Sequence, residues 1–283
     1  MPVYRLAGRN FSLPYSLLEL KPFEMPNVLP DPAQFLPDLY SFSLISQTEG
    51  WVGGSSRRVE VLISSMGYLL KIVDGCGFFI SSDGKTITAI ESQPEVNPLG
   101  RETLLGPVLV FALALQNIWC LHASAVLYKE SLIAIAGDSG YGKSTLAAYL
   151  SLCPGWRLVA DDILPVQLTA DGLIASPRFP QLKLPADSQP SVGFPEQVSL
   201  KNIVLLERHG GADVSGLVTL APAQAVQGFL THIAGTRMFG EYLLERHLYF
   251  SSQAAQQVAT YRLPYPHHRE ALPKIRKYLE EIC

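Results

Sequence analysis

Eight consecutive residues, Gly137-Asp138-Ser139-Gly140-Tyr141-Gly142-Lys143-Ser144, fit the pattern GxxxxGK[ST] in full. Those types in that order can hold phosphate. Glycines let the chain curl so that successive N–H groups point inward at phosphate oxygens. A helix opening near Lys143 adds its positive N-terminal end to the same anion site. Lys143 would reach the β- and γ-phosphates, and the Ser144 hydroxyl would coordinate Mg²⁺. The context agrees: the apolar run LIAIA precedes the loop, and STLAAYLSL, ended by Pro154-Gly155, reads as a helix after it. ATP and Mg²⁺ are therefore the expected ligands, with Gly137, Asp138, Ser139, Gly140, Tyr141, Gly142, Lys143, Ser144 and Thr145 as the expected nucleotide contacts.

Next along the chain, Asp161 and Asp162 close the strand-like stretch RLVADD. One carboxylate at the end of an apolar strand can hold Mg²⁺ or its water shell, while a neighbour accepts a proton from an attacking hydroxyl. Alternation along a strand separates adjacent side chains, so one of the two is expected to point away. An Asp pair that merely starts a turn is the plainer alternative. His122, in LHASAV, sits on the strand before the loop strand, and a hairpin there would bring it beside the phosphates. His209, His232, His247, His267 and His268 have no metal-ligand spacing and read as non-metal residues. Arg178, Lys183, Arg208, Arg237 and Arg246 are candidates for neutralising transition-state charge.

These residues need a scaffold, and the rest of the sequence supplies one. Residues 1–97 read as a small β-rich domain, with RVEVLIS, Tyr68–Val73 and Cys76–Ile80 as strands and Ser82-Asp83-Gly84-Lys85 as a hairpin-type turn. It holds nothing that looks catalytic and is a candidate for a partner or homo-oligomer contact. Residues 98–283 read as the domain that carries the chemistry. Arg101–Trp119 is apolar nearly all round, the pattern of a helix buried between the two parts. At the C-terminus Leu272, Ile275, Leu279 and Ile282 fall on one helical face. The expected fold class is mixed α/β (α+β).

Composition excludes several classes. Charged residues are 17% and hydrophobic ones 48% of 283, the balance of a folded chain rather than a disordered one. A net charge of −3 gives no basic field for nucleic acid or an anionic membrane. The longest apolar run, Leu104 to Leu115, falls short of the ~20 residues that cross a bilayer. The opening MPVYRLAGRNFSLPYSLLEL lacks the pattern of a secretory signal, so a cytoplasmic location is expected. Cys76, Cys120, Cys153 and Cys283 form no CxxC pair and read as free thiols.

The three blocks LHASAV, GDSGYGKST and RLVADD, in that order, resemble the catalytic core of the HPr kinase/phosphorylase family. These are bacterial serine kinases that share a P-loop fold with the PEP carboxykinases. The resemblance covers roughly residues 104–165. It implies that Lys143 binds phosphate, Ser144 binds Mg²⁺ and His122 is an active-site residue. It implies that Asp162 accepts the proton of the substrate serine, with Asp161 assisting near the metal. Thr145 stands where the family usually has Glu, and SPRFPQLKLP replaces its glycine-rich downstream segment. In size and order of parts the chain is more similar to the related lasso peptide kinases, which phosphorylate a serine at the C-terminal end of a precursor peptide. The implied partner is thus a peptide or protein with an acceptor serine, and the implied activity is ATP-dependent serine phosphorylation. A nucleotide-dependent ATPase or switch that binds a partner, and a small-molecule kinase, are the alternatives.

Overall fold

The computed structural model describes residues 1–29, 41–52, 54–90, 97–181, 193–208, 216–266 and 268–283. Lys183, His209 and His267 lie outside them. The chain is mixed α/β and divides into two units. The first comprises Met1–Trp119 with Gly235–Arg246, the second Cys120–Ala234 with His247–Cys283.

In the first unit a short hairpin, β1 (Val3–Leu6) and β2 (Arg9–Ser12), precedes an antiparallel meander. The meander runs β3 (Ser43–Val52), β4 (Ser55–Ser64), β5 (Gly67–Ile72), β6 (Gly77–Ser81) and β7 (Ile87–Ala89), each strand beside the next. The turn before β7 forms as its sequence predicts. Asp83 accepts hydrogen bonds from the Ser81 hydroxyl (2.6 Å) and the Lys85 N–H (3.1 Å). Gly84 has φ +73°, and a Cβ there would lie 2.5 Å from the Ala112 carbonyl oxygen, so only glycine fits.

That carbonyl belongs to the apolar helical run Pro98–Leu115, made of α1 (Pro98–Thr103), a π turn at Leu104–Val108 and α2 (Leu109–Leu115). Pro107 lacks the N–H that an α ladder needs, which accounts for the widened turn. The run is long and apolar enough to cross a membrane by composition, yet 67% of it is buried in the fold. It packs on the meander: Phe111 meets Tyr68 edge to face at 5.2 Å, and the Gln116 amide donates to the Gly84 carbonyl at 3.1 Å. A boundary at residue 97, read from the polar connector, therefore moves to Trp119/Cys120. Side-chain packing outweighs the local Pro/Gly signal.

The second unit is built on a seven-stranded mixed sheet. Its strands are β8 (Trp119–Tyr128), β9 (Ser131–Ala136), β10 (Trp156–Thr169), β11 (Gly172–Ala175), β12 (Val198–Arg208), β13 (Val218–Thr219) and β14 (Ala259–Tyr265). Their spatial order is β11-β10-β8-β9-β12-β14-β13. β8 and β9 form the expected antiparallel hairpin, whereas β9, β12 and β14 run parallel. The helices are α3 (Lys143–Ser151), α4 (Pro222–His232), α5 (Glu241–Gln257), whose residues through Arg246 count with the first unit, and α6 (Leu272–Glu281). Leu146 and Leu150 of α3 join Leu272, Ile275 and Leu279 of α6 in one core with Ile133, Ile135, Val204, Leu206 and Leu263 from the parallel strands. The apolar face read for the C-terminal helix is this contact, and each such side chain contributes about 1.5–3 kcal/mol of burial.

Candidate active site

β9 is buried throughout its last five residues, and its end releases the chain into residues 137–142 before α3 begins at Lys143. The carboxyl ends of parallel strands are where open α/β sheets place ligand crevices. Gly137, Gly140 and Gly142 adopt φ of +148°, +82° and +85°, which curls the loop over the helix start. Nothing lies within 4 Å of the position a Gly140 Cβ would take, so that part of the cradle opens to a ligand. The Lys143 ammonium folds back to donate to the Gly137 carbonyl (2.7 Å) and the Asp138 carbonyl (3.1 Å). Tyr265, at the end of β14, donates through its hydroxyl to the Tyr141 carbonyl at 2.7 Å and anchors the loop from the other side.

A cavity of about 500 Å³ opens at this loop, and its lining includes His122, Ser124, Lys143, Ser144 and Asp162 together with Tyr265, His268, Arg269 and Leu272. Ser144 and Thr145 are exposed on the first turn of α3, as are Asp138, Ser139 and Gly140 in the loop. The structure thus brings His122, Asp162, Lys143, Ser144 and Thr145 to one cavity.

The Asp pair is less regular than a strand ending in two carboxylates. β10 runs on to Thr169, and the irregularity lies inside it, where Asp162 has φ +108°. This breaks the alternation that would send neighbouring side chains to opposite faces. Asp161 and Asp162 both meet β8: the Ser124 hydroxyl donates to Asp161 Oδ1 at 2.7 Å, and His122 Nδ1 lies 3.2 Å from Asp162 Oδ1. His122 and Ser124, two apart on one strand, share a face. Asp161 is buried and does not line the cavity; Asp162, 22% exposed, does. The carboxylate that lines the cavity with Ser144 is therefore Asp162, while Asp161 accepts from the buried Ser124 hydroxyl.

Gln181 holds this irregularity. Its side-chain oxygen accepts from the Asp161 N–H (2.8 Å), and its amide nitrogen donates to the carbonyls of Ile163 (3.0 Å) and Phe179 (3.2 Å). One buried amide thus satisfies a backbone group on each side of Asp162. Sequence reasoning missed Gln181, because a lone Gln in a Pro-rich segment carries no spacing signal.

Of the candidate cations among the described residues, none is in the lining of this cavity. Arg237 belongs to the first unit, in a 3-10 turn whose carbonyl accepts from the Ser46 hydroxyl at 2.8 Å. Arg246 is engaged there by Tyr242 and Asn117. Arg178 and Arg208 do not line the cavity. The arginine that does is Arg269, exposed in the turn before α6, beside His268. It follows the last parallel strand, a location that only the topology reveals. Among the described residues no group of three or more His, Cys, Asp or Glu side chains could hold a metal ion.

A remote likeness accompanies this geometry. The chain is similar in structure to the HPr(Ser) kinase/phosphatase from Coxiella burnetii. The TM-score is 0.34 at 13% identity, over 57% of this chain and 94% of that one. No family model matches, and no curated protein does. So distant a likeness assigns no residue a role.

Proposed function

We propose that this chain is an ATP-dependent kinase that transfers the γ-phosphate to a serine hydroxyl of a peptide or protein, with a lasso peptide precursor as the leading substrate. The observation that carries this reading is the pairing of Asp162 with His122 on the same cavity as Lys143 and the curled loop. A phosphate cradle alone suits any nucleotide-binding protein, but a carboxylate held beside it also provides for deprotonating a hydroxyl.

The residues also fit Mg²⁺. The open cradle at Gly140 leaves room for phosphate oxygens, and the exposed Ser144 hydroxyl and the Asp162 carboxylate are hard oxygen donors on one cavity. Ser144 would hold the ion, with Asp162 as the carboxylate that shares its cavity and Asp161 set behind Ser124. When bound, it would neutralise charge on the β- and γ-phosphates.

Loop N–H groups and Lys143 would hold the phosphates in place of the two carbonyls that Lys143 engages now. The serine Oγ would approach in line with the γ-phosphorus, forming one P–O bond as the bond to the departing ADP oxygen breaks. Its proton would pass to Asp162, which His122 orients through its Nδ1 contact. Arg269, which lines the same cavity, would offset charge on the nucleotide or the transferring group.

The experiment is incubation of the protein with Mg²⁺ and γ-labelled ATP, with and without serine-containing peptides that include lasso precursor C-termini. Label on a peptide serine, absent with Lys143→Ala and Asp162→Asn, supports the reading. ADP release that no peptide alters would favour an ATPase or switch instead.

A further inference from the structure

A second cavity, of about 400 Å³, is also lined by this loop. It shares Gly137, Asp138 and Tyr141 with the loop and is roofed by one face of α4, where Gln224, Gln227, Gly228, Thr231 and His232 recur at helical spacing. Gly228 lets that helix lie close to β12, since a Cβ there would come within 2.7 Å of Leu205 Cδ1. The C-terminal end of α4 is then fixed to β8: Ile233 bridges Leu121, and the Ala234 N–H donates to the Cys120 carbonyl at 2.7 Å. His232 is thereby held next to the strand that carries His122, at the loop end of the cavity.

The His232 ring has no hydrogen bond or ion pair among the described residues, although it is largely shielded from solvent. The charged and titratable groups around it are Asp138 and Tyr141 of the loop, Lys143 of α3, His122 of β8, Glu207 of β12 and Arg262 of β14, the last two paired with each other at 3.4 Å. No other residue of α4 is ionisable. Burial holds the imidazole below its usual range, and Lys143 and His122 act in the same direction, whereas Asp138 acts against them. The ring thus lines a cavity that shares Gly137, Asp138 and Tyr141 with the phosphate loop.

We propose that His232 is a further phosphate-contacting residue, which takes up a proton as the terminal phosphate of the nucleotide settles on the loop and holds that phosphate as an imidazolium. This rests on the nucleotide-binding part of the function proposed above. A phosphate adds negative charge beside a shielded ring, which favours the charged form and reverses the effect of burial. The sign follows: affinity rises as pH falls through the raised value in the complex, and levels off below the depressed value in the free protein. One such proton changes affinity by at most about tenfold per pH unit.

The test is calorimetric titration of the full chain with Mg²⁺-ATP and Mg²⁺-ADP between pH 6 and 8.5, in buffers of differing ionisation enthalpy. His232→Gln and His232→Asn are run alongside, with circular dichroism to confirm that each folds. Protonation of the nucleotide itself is common to all three proteins and cancels in the comparison. The wild type should take up more protons on binding ATP than either variant does, and its affinity should gain several-fold more between pH 8 and 6. The excess should shrink with ADP. Equal proton uptake in wild type and variants overturns the inference while leaving nucleotide binding intact, and an excess unchanged between ATP and ADP overturns the terminal-phosphate assignment. Absence of any nucleotide binding by the wild type overturns the functional reading, and this inference with it.

Discussion

Asp162 provides a test in which two substitutions should fall in an unusual order. In an ordinary strand, glycine is less stable than alanine by about 0.5–1 kcal/mol, because it loses more backbone freedom on folding. At φ +108° the order should reverse. A residue with a Cβ in a sparsely populated region costs about 1–3 kcal/mol, which glycine does not incur. Subtracting the entropic term leaves Asp162→Gly more stable than Asp162→Ala by up to about 2.5 kcal/mol. Asp162→Asn should lie close to the wild type, since Asn tolerates positive φ about as Asp does. All three should lose phosphate transfer, because none can accept the serine proton. Urea denaturation followed by fluorescence gives the stabilities, and labelled ATP gives the transfer. An Asp162→Ala variant at least as stable as Asp162→Gly would refute the strained backbone and the clamp that Gln181 makes around it. Full transfer by Asp162→Asn would refute the role of the carboxylate as base.

Two further outcomes follow from the same site. Ser124→Ala should destabilise the fold by about 1–3 kcal/mol, as it leaves the buried Asp161 carboxylate without its hydroxyl donor, and thermal melting will detect it. Arg269→Ala should weaken ATP binding several-fold with little effect on melting temperature, because the side chain is exposed on the cavity wall, and added salt should narrow the difference from wild type.

What could be read beforehand follows from how local each feature is. The loop between β9 and α3 is a contiguous pattern in which each glycine and the Lys-Ser pair have a local reason, so motif and context agree. The β8–β9 hairpin and the apolar stripe of α6 are equally local, one in alternating apolar runs and the other in Leu272, Ile275 and Leu279. The arrangement of the Asp pair was not legible, because the positive φ at Asp162 depends on Gln181, well separated along the chain. Arg269 and His232 reach the loop only because β14 and α4 end beside it, and no spacing in the sequence encodes that. The boundary near residue 97 failed for a similar reason: Pro98–Leu115 takes its place from Tyr68 and Gly84, across the meander.

The interleaving of the two units bears on how the protein is made. Residues Gly235–Arg246 complete the first unit only after most of the second has been synthesised, and the second still lacks β14 and α6 at that point. A ribosome that stalled after Ala234 would leave neither unit whole: β12 would show an unpaired edge where β14 belongs, and Leu146 and Leu150 would lack the cover of α6. An open strand edge beside bare apolar surface is a template for aggregation. Neither unit can therefore be excised as a contiguous fragment, and a nascent chain would depend on protection until α6 emerges.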